Sequence, residues 1–137
     1  MFGYIDRGTI KNLSIIDSYI IGENYVGSIC GYNNGTIINC TNSGQVKGEN
    51  NVGGVSVYNG KEFSNCTNNG KVEGTSNVVG VCGYASNVSE CSNFGEVNST
   101  SKDDANKIGG VIGFFYSGII SNCYNEGKVN GKNADKF

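Results

Sequence analysis

The chain has 137 residues, six cysteines, a net charge of -2, and no histidine, tryptophan or proline. This length suits one domain with a buried core, and the scattered charges of both signs give no indication of a nucleic-acid or anionic-membrane partner. No apolar run approaches the roughly 20 residues that cross a bilayer, so no membrane span is predicted.

The whole chain is a set of copies of one stretch, VGSICGYNNGTIINCTNSGQVKGENN. Self-similarity at a period of about 26 residues is typical of stacked repeat proteins. Polar residues 99–106 interrupt the fourth copy and are predicted to form a loop. The chain is therefore predicted to be a single repeat domain whose coils are 2–25, 26–51, 52–77, 78–107 and 108–133.

Each copy has the pattern of short strands joined by turns. In the second copy the strands are VGSICGY, TIINCT and GQVKG, and frequent glycine with no lasting 3.6-residue apolar period argues against helices. A hairpin meander would use the same signals, but identical columns across copies favour stacking of equivalent residues. The predicted fold is all-β: a β-solenoid, or parallel β-helix, of about five coils with three short strands each, right-handed by the general chirality of chain crossovers.

Three columns of equivalent residues are predicted to form structural ladders, since adjacent coils of such a solenoid lie about 4.8 Å apart. The columns are Cys40, Cys66, Cys91 and Cys123; Asn42, Asn68, Asn93 and Asn125; and Tyr32, Tyr58, Tyr84 and Phe114. The asparagine amides are expected to bond to a turn backbone or to the next asparagine in the stack.

Two apolar columns in the second strand are expected to point inward together. Ile37 and its equivalents lie three residues before the cysteine column, a spacing that a flat strand cannot place on one face. A bend or bulge is therefore predicted between Ile37 and Cys40. The column of Val46 is predicted to be a third inward line.

Alternate residues of a strand point to opposite faces, and in the first strand both sets of alternate residues include apolar side chains. Assigning the bulkier parity inward buries Val26, Cys30 and Tyr32. An outward aliphatic ladder then remains as a candidate interaction face, because contiguous exposed apolar surface usually marks a docking site. The opposite assignment, in which this ladder is core, stays open. The members of this aliphatic ladder are Ile29, Val55, Val81 and Val111.

The even number of cysteines is compatible with disulfides, yet the pattern favours free, buried thiols. Leu13 takes the place of cysteine in the first copy, so the position does not require sulfur chemistry. The chain has no histidine and no CxxC pair for zinc, and the polar column that recurs among the copies consists of amides rather than the carboxylates that calcium prefers. No metal and no cofactor are predicted.

No arrangement of residues indicates catalysis. General acid and base chemistry needs positioned histidines or paired carboxylates, and the acidic residues of this chain are scattered without a recurring cluster. The chain is therefore expected not to be an enzyme and to have no catalytic residues.

Two stretches, YVGSICGYNNGTIINCTNSGQVKG (25–48) and IGGVIGFFYSGIISNCYNEGKVNG (108–131), resemble the GLUG repeat of large bacterial surface and secreted proteins, including adhesin-like proteins. The resemblance implies a solenoid fold and a non-catalytic, extracellular or cell-surface module. It implies no site residues, because the motif describes scaffold.

Three functions are expected from these observations. The first is a rigid structural or adhesion module that presents a binding face to a protein or a host glycan. The second is a subunit that stacks end to end into a filament through uncapped coils, because open strand edges pair with other chains. The third is a carbohydrate-binding module, which requires the tyrosine column to face solvent, whereas the parity assignment predicts that it is buried.

Overall fold

The computed structural model describes residues 1–103 and 106–132, and within them the chain forms strands and turns without α-helix. No helix that could cross a membrane therefore occurs in this part of the chain. Residues 104, 105 and 133, which belong to the predicted loop and the predicted final coil, lie outside the described residues.

The strands follow one another in the same order in every coil. The first coil has β1 (Phe2–Ile5), β2 (Thr9–Lys11), β3 (Ser14–Ile15) and β4 (Tyr19–Ile21). The second has β5 (Asn24–Gly27), β6 (Cys30–Asn33), β7 (Thr36–Ile38), β8 (Thr41–Asn42) and β9 (Gln45–Lys47). The third has β10 (Asn50–Gly53), β11 (Ser56–Ser64), β12 (Thr67–Asn68) and β13 (Val72–Gly74). The fourth has β14 (Ser76–Val79), β15 (Cys82–Ser89), β16 (Ser92–Asn93) and β17 (Val97–Ser99). The last has β18 (Ile112–Phe115), β19 (Ile120–Ser121), β20 (Tyr124–Asn125) and β21 (Val129–Asn130).

Equivalent strands of successive coils pair in parallel, which makes the protein a β-solenoid. Four sheets run along its length: the sheet of β6 and β7, that of β8, that of β9 and that of β5. The chain passes five times through three of them and completes about four turns. The predicted all-β parallel solenoid is confirmed, but the number of strands per coil was wrong. The predicted first strand is divided into β5 and β6, so a coil crosses four sheets rather than three.

The bend predicted between the two inward columns of the second strand is present. Asn39, which lies between Ile37 and Cys40, has a positive φ of 54°, and its equivalents in the other coils share this left-handed conformation. Asparagine is common at such positions because its short polar side chain tolerates them. The turn brings both Ile37 and Cys40 inward, and each is 0% exposed.

The core consists of two clusters along the solenoid. The larger holds the columns of Ile29, Ile37 and Cys40, and the smaller holds those of Val26 and Val46. The inward placement predicted for Val26, Cys30 and Val46 is therefore confirmed. All six cysteines are free, as predicted, and five of them are buried.

Candidate interaction surfaces

The aliphatic ladder predicted as an interaction face lies in the core, so this prediction was wrong. Ile29, Val55 and Val81 are each 0% exposed and belong to the larger cluster, and Val111 packs against the same cluster from the last coil. No exposed apolar strip exists along these positions, and the alternative assignment, in which the ladder is core, holds.

The reason for the error is the break between β5 and β6. The parity argument treated 26–32 as one strand, but Ser28 and Ile29 lie between the two strands. The backbone changes direction there, so alternation does not continue from Val26 to Tyr32. As a result the neighbours Ile29 and Cys30 are both fully buried.

The tyrosine column lies at the surface, contrary to its predicted burial. Tyr32, Tyr58 and Tyr84 are half-buried, while Phe114 of the last coil is 37% exposed. The rings of Tyr32 and Tyr58 stack with centroids 4.2 Å apart and planes 4° apart. Partial desolvation and a hydrogen bond to Tyr58 raise the pKa of the Tyr32 phenol. Stacked rings cover each other's faces, so this part of the column presents ring edges to solvent.

The regular stack is interrupted between Tyr58 and Tyr84. Their backbones are paired in register, yet no ring contact between them occurs among the described residues, and a hollow of about 260 Å³ opens beside them. Tyr84 instead lies against Phe114, with centroids 5.3 Å apart and planes tilted by 51°. The exposed Tyr116 also lines the hollow. Tyr58 and Tyr84 therefore line an open hollow on the aromatic column.

The asparagine column forms a continuous amide ladder, as predicted, in which Asn42, Asn68 and Asn93 are buried and Asn125 is exposed. Asn42 donates from Nδ2 to the Gly44 carbonyl and to Asn68 Oδ1, both at 2.8 Å. Asn68 and Asn93 repeat this pair of hydrogen bonds in their own coils. Each amide therefore stabilises its own corner and the contact with the next coil.

The buried thiols differ in acidity. Hydrogen bonding with Cys66 lowers the pKa of the Cys40 and Cys91 thiols, both of which are 0% exposed. Burial raises the pKa of the Cys82 thiol, and hydrogen bonding to neighbouring sulfurs raises that of Cys66. These last two thiols remain protonated at neutral pH, and the thiolate is the nucleophilic and metal-binding form. Within residues 1–103 and 106–132, no group of three or more His, Cys, Asp or Glu side chains is placed to hold a metal ion.

The last coil leaves the end of the core open. Sequence analysis predicted uncapped coils with open strand edges, but it did not identify which core side chains are exposed there. Ile120 belongs to the inward column of Ile37, Phe63 and Val88, which are 0 to 1% exposed, yet Ile120 is 45% exposed. Phe115 and Tyr124 of this coil are exposed as well. We call the surface formed by β18 to β21 the C-terminal face.

The first coil is more closed at the corresponding place. Ile10 is only 8% exposed although it starts the same column as Ile120. This coil nevertheless exposes apolar side chains on its outer surface, among them Ile16, Tyr19 and Ile21. Apart from Phe94, the large apolar side chains exposed in the described part of the chain lie in the first 25 residues or in the last coil.

Comparison with known proteins identifies one motif. The family model described as the GLUG motif matches residues 22–47 and 104–130, which confirms the resemblance read from the sequence. The first match covers β5 to β9 and therefore about one solenoid turn. Neither a curated protein nor a solved structure matches the chain.

Proposed function

Because this chain carries GLUG motifs on a parallel β-solenoid, we propose that it is a non-catalytic structural module of a bacterial cell-surface or secreted protein. In this proposal the module is a rigid spacer whose terminal coils stack on coils of neighbouring solenoid segments. The bacterial and extracellular setting rests on the resemblance to GLUG-repeat proteins alone.

The open core at the C-terminal face is the observation that carries this proposal. Ile120 occupies a core column yet is almost half exposed. An apolar surface of this kind is covered when another coil stacks on it, and burial of apolar area favours that contact by about 25 cal/mol per Å².

The backbone on this face supports the same conclusion. In earlier coils the amides of Asn65 and Glu90 donate to carbonyls of the following coil, those of Ser89 and Ser121, each at 3.0 Å. The amide of Asn122 is next in this series. It is therefore oriented to donate to a further coil, as unpaired strand edges commonly do.

We expect an added coil to stabilise the protein. A copy of residues 26–51 fused in register to the C-terminal face should raise the unfolding midpoint by about 5 °C or more, because repeat proteins gain stability from each nearest-neighbour interface. Thermal unfolding followed by circular dichroism measures this shift. A fusion of the same residues in scrambled order is the matched control. Equal midpoints for the two fusions would contradict the proposed stacking.

A second candidate function, carbohydrate binding, is favoured by the hollow beside Tyr58 and Tyr84. Accessible aromatic faces with nearby hydroxyl groups suit a sugar ring, which has an apolar face and a polar rim. The hollow of about 260 Å³ has room for one ring. A host glycan is the partner that this surface would fit.

Glycan binding can be tested with Tyr84→Ala. We expect this variant to lose most binding to an immobilised glycan array, about tenfold or more, because it removes one of the aromatic rings that line the hollow. The matched control is Tyr25→Ala, which removes an exposed tyrosine outside the column. Equal binding by both variants, or no binding by the unchanged protein, would argue against this candidate.

A further inference from the structure

The asparagine ladder has a free end at the C-terminal face. Asn125 Oδ1 accepts a hydrogen bond of 2.7 Å from Asn93, and Asn125 Nδ2 donates one of 2.8 Å to the Gly127 carbonyl. An amide nitrogen carries two hydrogens. In the coils before it the second hydrogen bonds to the next asparagine, whereas for Asn125 no acceptor lies within the described residues. The planar amide therefore directs this hydrogen out of the C-terminal face.

A column of glycines beside the ladder sets a steric requirement. A Cβ at Gly70 would overlap the carbonyl oxygen of Gly44, one at Gly95 would overlap that of Gly70, and one at Gly127 would overlap that of Gly95. Each coil thus needs glycine where it meets the glycine carbonyl of the coil before it. By the same spacing, a coil stacked on the C-terminal face needs glycine above the Gly127 carbonyl.

The first coil of this chain meets neither requirement. Ile15 takes the place of asparagine and pairs with Asn42, and the carbonyl of Ser18 takes the place of the glycine carbonyl in the bond from Gln45. If this coil stacked on the C-terminal face of another copy, Ile15 would leave the Asn125 N–H buried without an acceptor. Ser18 would place its Cβ against the Gly127 carbonyl.

We infer that the C-terminal face selects a coil with an Asn-x-Gly corner and discriminates against the first coil of its own copies. The partner that fits is therefore a GLUG-type coil resembling the second, third or fourth coil of this chain. This inference rests on the proposed stacking function and names the kind of partner. It also makes a filament of this chain alone the disfavoured assembly.

The test gives the first coil the missing corner. The first coil has two residues between Ile15 and Ser18 where the later coils have one, so the variant combines Ile15→Asn and Ser18→Gly with deletion of the exposed Ile16. We expect this variant to self-associate about ten- to hundredfold more tightly than the unchanged chain, because an unsatisfied buried N–H and a steric overlap are both removed. Sedimentation velocity over a concentration series measures the association. Adding Asn125→Leu, which removes the donor from the opposite face, should return association to the level of the unchanged chain.

A second measurement applies if this variant of the first coil does not fold. In the fusion that carries an added copy of residues 26–51, the substitutions Asn42→Ile and Gly44→Ser are made only in the added copy. We expect them to abolish most of the rise in the unfolding midpoint. Association or stabilisation that is equal with and without the Asn-x-Gly corner would overturn the inference while leaving stacking intact. No stabilisation by the unaltered coil would instead refute the stacking function itself.

Discussion

Replacing Phe63 by alanine should lower the free energy of unfolding by about 3–5 kcal/mol, the largest loss expected from a single core side chain. Phe63 is fully buried in the larger core cluster, in the column between Ile37 and Val88. Stacked coils above and below hold the surrounding side chains in place, so the cavity cannot collapse fully. Urea unfolding followed by circular dichroism gives the free-energy change.

The matched control is Tyr116→Ala. Tyr116 is also a large aromatic residue, but it is 85% exposed in the last coil. We expect its replacement to change stability by less than about 0.5 kcal/mol. Similar losses for Phe63→Ala and Tyr116→Ala would mean that the core does not have the described arrangement.

The substitution Asn68→Leu should lower the free energy of unfolding by a comparable amount, about 3–5 kcal/mol. Asn68 is fully buried and donates to the Gly70 carbonyl and Asn93 Oδ1, while its own Oδ1 accepts from Asn42 Nδ2. Leucine is similar in size but leaves these partners buried without hydrogen bonds, at about 1–3 kcal/mol for each unsatisfied group.

The adjacent residue provides the control for the ladder. Asn69 is exposed, and the hydrogen bond from its Nδ2 to Ser43 Oγ is long, at 3.5 Å. Asn69→Leu should therefore be nearly neutral, within about 0.5 kcal/mol. Chemical denaturation of the two leucine variants side by side separates the effect of the ladder from that of asparagine content. A stable Asn68→Leu protein would show that the amide ladder contributes little.

Much of the fold could be predicted because the repeats constrain each other. Four copies with cysteine, asparagine and valine in fixed order require equivalent residues to stack, and the structure pairs them in parallel register. The spacing of three between Ile37 and Cys40 required a bend, and Asn39 supplies it with a left-handed backbone. Because Leu13 occupies the cysteine position in the first copy, the cysteines were predicted to pack in the core rather than to form disulfides, and the structure has them as free thiols.

The surface could not be assigned correctly because alternation along a strand gives a face only while the strand is continuous. Residues 26–32 are interrupted after Gly27, so Ile29 lies between two strands and is buried beside Cys30. The break does not explain the surface position of Tyr32, which shares its parity with the buried Cys30 in β6. The prediction placed the ladder of Ile29 at the surface and the tyrosine column in the core, whereas the structure has the ladder in the core and the tyrosine column at the surface. Both sets of alternate residues in this stretch contain apolar side chains, so composition did not indicate which set faces the core.

Uncapped coils were predicted, but the exposure of core-column side chains on the C-terminal face was not, for a different reason. The residues of this face belong to the same inward columns as the core, and their exposure depends on the neighbouring coil rather than on their own sequence. One signal was available, because Ile15 and Ser18 break the Asn-x-Gly pattern that the other four copies share. This difference between the first coil and the others indicates which coils can follow one another.

Hydrogen exchange of the fusion that carries an added copy of residues 26–51 tests the central claim, stacking on the C-terminal face, most directly. The amides to follow are those of Asn122 and Val129, whose equivalents in earlier coils, such as Glu90 and Val97, donate to the next coil. We predict that both exchange at least about a hundredfold more slowly in this fusion than in the unchanged chain, because stable strand pairing protects amides. Unchanged exchange at Asn122 and Val129 would contradict the account, since it would show that the C-terminal face does not accept a coil.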